Sequence, residues 1–252
     1  MSESELKLTN APIVEAVIDI DCDMPPGFEL VALEQSASGA FRDEYPRFRT
    51  RFVERHRVEP RPDAPGKHQA TREIQALQFW HDDEKQLVQV RATGFSFNRL
   101  APYTSLDAYL PEMRRTWELF VQIASPVQIR VVRLRYINRI MLPLTRGRVD
   151  FKEYLRVGPK LPDEDRLRFA SFFNQHTVVE TETEHQATIV LASRPPDKDK
   201  LPIIFDISVA AEEPVAPENW TQIAAEIHSL RTLKNTIFQR TLRRKCRNLF
   251  QQ

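Results

Sequence analysis

Cysteine is scarce in this chain: Cys22 and Cys246 are the only two, near opposite ends of 252 residues. Two isolated cysteines make neither a disulfide framework nor a C-x-x-C metal knuckle, which points to a reducing compartment. Glycine is scarce too. The six glycines lie too far apart for a P-loop or a dinucleotide fingerprint, which disfavours the common nucleotide-dependent chemistries. No apolar run approaches the roughly 20 residues of a membrane-spanning helix. The opening Met1-Ser2-Glu3-Ser4-Glu5 has neither a basic region nor an apolar stretch of the secretory kind. There is no G-x-S-x-G elbow and no H-E-x-x-H pair, and neither cysteine has a histidine beside it. These absences predict a cytoplasmic protein without membrane contact, without a cofactor and without enzymatic activity.

What is present is ordinary in amount and informative in pattern. Hydrophobic residues make up 41% and charged residues 28%, the balance of a folded globular chain, and the formal net charge of +1 gives no global field. Alternation predicts strands over 13–22, 48–58, 73–81 and 86–93, with a short continuation at 95–97. Helical spacing predicts helices over 28–45 and 106–124, the second capped by Ser105. The Pro-rich stretch 60–66 reads as a loop that cannot join a ladder. The pattern then restarts: a strand over 127–142, a short helix over 150–155, a hairpin of 172–183 with 187–193, a strand over 203–211, and a helix from Trp220 to about Leu242.

The restart suggests a duplication. Ala11-Pro12-Ile13 and Ser125-Pro126-Val127 are 114 positions apart, and the same offset places Met113 on Ile227 and Ile123 on Ile237. The expected class is α+β: two β-α-β-β-β-α halves, 1–125 and 126–252, related by a pseudo-two-fold, with antiparallel strands and helices on one face. The saddle-like fold of the TATA-box-binding protein has this order of elements, an analogy that carries no function.

Several side-chain sets invite a functional reading. Asp19, Asp21 and Asp23 share one strand face, a spacing that suits Mg²⁺ or Ca²⁺. The offset sets Arg133 against Asp19 and Arg135 against Asp21, so cross-strand ion pairing is the better reading. Arg133, Arg135 and Arg139 line one face of the later strand, with Arg130 turned the other way; such a row suits a partner protein or phosphate. His81-Asp82-Asp83-Glu84 falls where a hairpin must turn. Glu180, Glu182 and Glu184 read as an acidic ribbon along a hairpin. The last helix carries an apolar stripe of Ile223, Ile227, Leu230, Leu233 and Ile237, followed by a basic run of Arg240, Arg243, Arg244, Lys245 and Arg247. That run suits nucleic acid or an acidic partner, or simply a solvated tail.

Three segments are distinctive together: Leu8-Thr9-Asn10-Ala11-Pro12-Ile13-Val14-Glu15-Ala16, Phe95-Ser96-Phe97-Asn98-Arg99-Leu100-Ala101-Pro102-Tyr103, and Leu134-Arg135-Tyr136-Ile137-Asn138-Arg139-Ile140. In this order they resemble a sporadically distributed, functionally uncharacterised family of prokaryotic proteins of about this length. The resemblance brings no activity, cofactor or catalytic residue. Its patchy distribution implies horizontal transfer, which fits mobile or antiviral-defence loci. The expected function is a protein-interaction or regulatory subunit that binds another protein of the same operon or system. The alternatives are an RNA- or DNA-binding protein using the arginine row and basic tail, and a metal-dependent enzyme using the three aspartates.

Overall fold

The computed structural model describes residues 8–61, 64–163 and 166–251. The polar opening Met1 to Glu5, and the side chains of His56 and His68, lie outside what is described. Nine strands form a single sheet: β1 Ile13–Asp23, β2 Arg47–Arg61, β3 Ala64–Trp80, β4 Gln86–Arg91, β5 Gly94–Leu100, β6 Gln128–Pro143, β7 Phe173–Val179, β8 Gln186–Ser193 and β9 Lys200–Ala211. The helices are α1 Glu34–Phe41, entered through a 3-10 turn at Leu30–Leu33, then α2 Leu106–Ala124, α3 Phe151–Tyr154, α4 Trp220–Thr241 and α5 Arg244–Arg247. The protein is α+β, and every strand pairing is antiparallel.

The sheet order is β2-β3-β4-β5-β1-β6-β9-β8-β7. Outward from the central β1–β6 pair, the order is thus β1, β5, β4, β3, β2 on one side and β6, β9, β8, β7 on the other. The symmetry is one of strand order. The first half carries four strands after its first helix, where three are expected, and β2 has no counterpart among the described residues. Between α2, which ends at Ala124, and β6, which begins at Gln128, Ser125 takes φ +46°.

Period-two alternation sorts the sheet into two faces. On β1, Ala16, Ile18, Ile20 and Cys22 are buried. Their counterparts on β6 are Ile129, Val132, Leu134, Tyr136, Ile140 and Leu142. The helices cover this face. Phe95 meets Trp117 of α2 edge-on at 5.7 Å, and Phe205 stacks on Phe238 of α4 at 5.7 Å. Aromatic pairs of this kind add about 0.5–1.5 kcal/mol beyond the burial of their area. Ser105 caps α2 as its position suggests, accepting from the Ala108 N–H at 3.2 Å.

Residues 62 and 63 of the 60–66 stretch lie outside the described residues, but the rest of the stretch belongs to β2 and β3 rather than to a loop. The β2–β3 pairing runs to Glu59–Lys67 and Arg61–Ala64, with register shifts between Arg51 and Phe52 and between Glu59 and Arg61. Proline is excluded only where its missing N–H faces a partner. β2 is the sheet's edge, and β4 pairs with β3 only from Ala76 to Trp80, so among the described residues β3 before Ala76 pairs with β2 alone. The first helix is shorter than its periodicity suggests: residues 30–33 form a 3-10 turn, and the α-helix runs only from Glu34 to Phe41. Glu180, Glu182 and Glu184 form no ribbon: β7 ends at Val179, and Glu180 accepts from the Thr183 N–H and hydroxyl at 3.0 and 2.5 Å, closing a turn. Among the described residues, no helix is long and apolar enough to cross a membrane.

Candidate functional site

The face of the sheet opposite the helices carries the charged rows. β1 and β6 run antiparallel with Asp19 opposite Arg133. Arg133 reaches Asp21 at 3.4 Å, and Arg91 of β4 reaches Asp21 at 2.8 Å and Asp19 at 3.8 Å. Ser96 donates to Asp19 at 2.5 Å. Arg135 lies opposite Val17 and grips Asp206 of β9 through both Nε and Nη2, at 2.5–3.1 Å. It therefore does not pair with Asp21, because offset in sequence is not register in an antiparallel ladder. That grip raises the Arg135 pKa above its ordinary value. Arg139 stands 3.8 Å from Asp197. Arg130 does not turn away: a register shift between Asp21 and Cys22 leaves it exposed, 3.3 Å from Asp23.

The aspartates thus sit among guanidinium groups rather than facing one another. Among the described residues, no three His, Cys, Asp or Glu side chains are grouped to hold a metal ion. Beside the charges runs a chain of amides. Gln78 donates to Gln89 at 2.8 Å, Gln89 to Asn98 at 2.9 Å, and Asn98 to Glu15 at 2.7 Å. Such a connected network fixes its members, because each bond is satisfied only if its neighbours hold still. His81 to Glu84 form the expected turn, where Glu84 receives Arg47 at 3.0 Å and Arg49 at 2.5 Å.

The basic C-terminal run is folded back. α4 stops at Thr241, Leu242 is extended, and α5 buries Cys246 against the core while Phe250 packs on Phe238. Lys245 pairs with Glu153, and Arg243 donates through Nε to the Leu155 carbonyl at 3.4 Å. Arg240, Arg243, Arg244 and Lys245 are exposed, and Arg247 is half-buried.

One site escapes the sequence reading. A cavity of about 420 Å³ opens where the entry to β1, the start of α2, β6 and α4 meet. All three distinctive segments reach it, through Pro12, Tyr103 and Tyr136 with Asn138. The backbone draws them together: Arg139 N–H donates to Pro12 at 2.8 Å, and Ala101 N–H to Val14 at 3.0 Å. The Tyr103 and Tyr136 hydroxyls share a hydrogen bond of 2.6 Å. Burial pushes the Tyr136 pKa up to about 12 and that of Tyr103 higher still, so both phenols keep their protons at neutral pH. Lys234 of α4 is buried, with Nζ 4.0 Å above the Tyr136 ring. Arg231 places Nη1 2.9 Å from both oxygens of Asp107, in the first turn of α2.

Lys234 corrects the stripe expected on α4. The buried series is Ile223, Ile227, Leu230, Lys234 and Phe238, while Leu233 and Ile237 are only half-buried. A step of four from Leu230 reaches Lys234 as readily as a step of three reaches Leu233. The sign that marks the site is a lysine on the core-facing side of an amphipathic helix.

Neither protein-family models nor curated proteins show a match to this chain.

Proposed function

We propose that this chain is a non-enzymatic interaction protein, an adaptor or regulatory subunit that docks another protein of its own prokaryotic system. Antiviral defence is the setting that the resemblance implies. One observation carries this reading: the uncovered face of the sheet displays arginines, each held by a carboxylate of the same chain. Arginine is favoured in protein interfaces, and a guanidinium already held in place loses less freedom on binding. The matching partner surface carries carboxylates and cations in alternation. A phosphate backbone, by contrast, would have to compete with Asp206 for Arg135.

Purification of the tagged chain from its native host, alongside a double variant Arg135→Glu with Arg139→Glu, tests this. The expected result is a protein partner recovered with the native chain and lost with the variant, both melting within a few degrees of each other. Recovery of no partner, or equal recovery by the variant, overturns the reading.

A second reading has its own observation. Arg240, Arg243 and Arg244 are exposed together at the end of α4 and in the turn into α5. If they bind nucleic acid, affinity for single- or double-stranded probes falls steeply between 50 and 200 mM salt, by roughly the power of the phosphates contacted. Affinity that is absent or insensitive to salt removes that alternative.

A further inference from the structure

We infer that β7, one free edge of the sheet, pairs with β7 of a second copy of this chain, antiparallel about a two-fold axis at His176. The inference goes beyond the docking reading and uses a different surface, since β9 and β8 stand between β7 and the arginine row of β6.

The two edges of the sheet are built differently. An edge strand presents unpaired N–H and C=O groups, and proteins commonly guard it with charge, proline or a bulge. β2 has all three: Arg47, Arg49 and Arg51, then Pro60, and register shifts in its pairing with β3. β7 has none of them. Phe173–Val179 contains no Asp, Glu, Lys, Arg or Pro, and its register against β8 runs without a shift. Phe173 is 69% exposed and Val179 55%. Among the described residues, β8 alone pairs with this strand.

The backbone fixes which groups are free. At one end of β7 the Phe172 carbonyl accepts from the Ser193 N–H at 3.0 Å, and at the other the Glu180 N–H donates to the His185 carbonyl at 2.9 Å. Both are even-numbered, so alternation turns the even residues of β7 toward β8. The N–H and C=O groups of Phe173, Gln175, Thr177 and Val179 therefore face outward. An antiparallel register centred on His176 sets Phe173 opposite Val179 of the second copy, and Gln175 opposite its Thr177. Each of these is a pair that exchanges two backbone hydrogen bonds, so every outward group is used.

Side chains and charge fit the same register. Phe173 and Val179 lie on one face of the strand, and the pairing sets each exposed ring against an exposed β-branched side chain, a combination that strands favour. The chain enters β7 from Arg166 and Arg168, both exposed, and leaves it into the turn of Glu180, Glu182 and Glu184. Antiparallel pairing places the basic entry of one copy beside the acidic exit of the other. β2 offers no such match to itself, because its arginines would meet arginines. Pairing through β7 alone is self-complementary and closes at two copies, whereas β7 on β2 would leave free edges and grow into filaments. Seven residues make an interface below the roughly 1,200 Å² of standard complexes, so association in the micromolar range is expected.

Sedimentation velocity between about 1 and 200 μM tests the assignment. Monomer is expected to pass to dimer as concentration rises, with nothing larger. Gln175→Pro deletes one outward N–H and spares the ladder to β8, the placement at which an edge strand tolerates proline. His176→Lys sets two ammonium groups opposite each other at the axis and leaves the backbone unchanged. Each is expected to weaken the dimer by roughly tenfold or more, with melting within a few degrees of the native chain. Under copper–phenanthroline oxidation His176→Cys is expected to cross-link two copies, because directly opposed residues lie within reach of a disulfide. Asn174→Cys is not, since its two copies stand about 13 Å apart along the strands. Cys22 and Cys246 are buried and take no part. The Arg135→Glu, Arg139→Glu variant should dimerise unchanged, which separates this edge from the docking face. A native chain still monomeric at the highest concentration overturns the inference. So does a dimer that Gln175→Pro and His176→Lys both leave at full strength, growth beyond two copies, or preferential cross-linking through Asn174→Cys.

Discussion

Gly94 is the residue on which the two sides of the charged face depend. It opens β5 opposite Asp21 with φ +140°, and an added Cβ would lie 2.1 Å from the Ile20 carbonyl oxygen. Arg91 uses the same gap: its Nη2 donates to the Phe95 carbonyl at 2.9 Å and to the Ile20 carbonyl at 3.3 Å before reaching Asp21. Gly94→Ala therefore forces β1 away from β5, strains the backbone and unseats Arg91. It is expected to cost about 3 kcal/mol in urea unfolding. Gly39 gives the contrast. It lies within α1, with nothing inside 4 Å of an added Cβ and no positive φ, so Gly39→Ala is expected to stabilise by about 0.5–1 kcal/mol. Equal effects of the two substitutions would mean that the β1–β5 approach at Gly94 is looser than its geometry states.

At the scale of elements, a buried bond helps α2 join the two sides of the molecule: Trp117 donates through Nε1 to the Pro217 carbonyl at 2.9 Å, in the turn that starts α4. Trp117→Phe keeps a ring against Phe95 and Phe120 but leaves that buried carbonyl without its donor. It is expected to cost about 2 kcal/mol, read from the urea midpoint at constant slope. α2 was legible in the sequence from end to end, because Ser105 caps it and its apolar positions recur without ambiguity. α4 was legible in its extent but not in its facing, since two interleaved series fit a period of 3.6 and the buried one contains a lysine. The central strands were legible from alternation. The extent of β2 and β3 was not, since it depends on which side of Pro60 and Pro65 the neighbouring strand lies. The arginine rows were legible as a face. Their partners were not, because Asp206 and Asp197 come from β9 and the loop before it, some 60–70 residues away, and only the fold sets them beside Arg135 and Arg139. The cavity was hidden for the same reason: four separate stretches of chain build it.

Taken as a whole, the described residues close early and late stretches of the chain onto one core. Cys22 of β1 and Cys246 of α5 stand far apart in sequence, yet both are buried in the same hydrophobic cluster, and burial raises each thiol from 9.0 to about 12. The buried phenols of Tyr45, Tyr103 and Tyr136 are raised too, first by burial; for Tyr45, its hydrogen bond to Glu112 adds to the shift. In all of these groups the folded state holds its proton to higher pH than the unfolded state does. Their contribution to stability is therefore complete below pH 9. It is lost as pH rises from the unfolded values toward the folded ones, at up to about 1.4 kcal/mol per pH unit for each thiol. Urea unfolding is expected to give a clear fall in stability from pH 8 to pH 10.5, shallower in Cys246→Ala. The same thiol reports on the basic terminal helix. If α5 is docked, a thiol reagent at pH 8 labels neither cysteine in the native protein and both in denaturant. If α5 is instead a solvated tail, Cys246 reacts at once, and the exposed cluster of Arg240, Arg243 and Arg244 loses the fixed geometry on which its nucleic-acid reading depends.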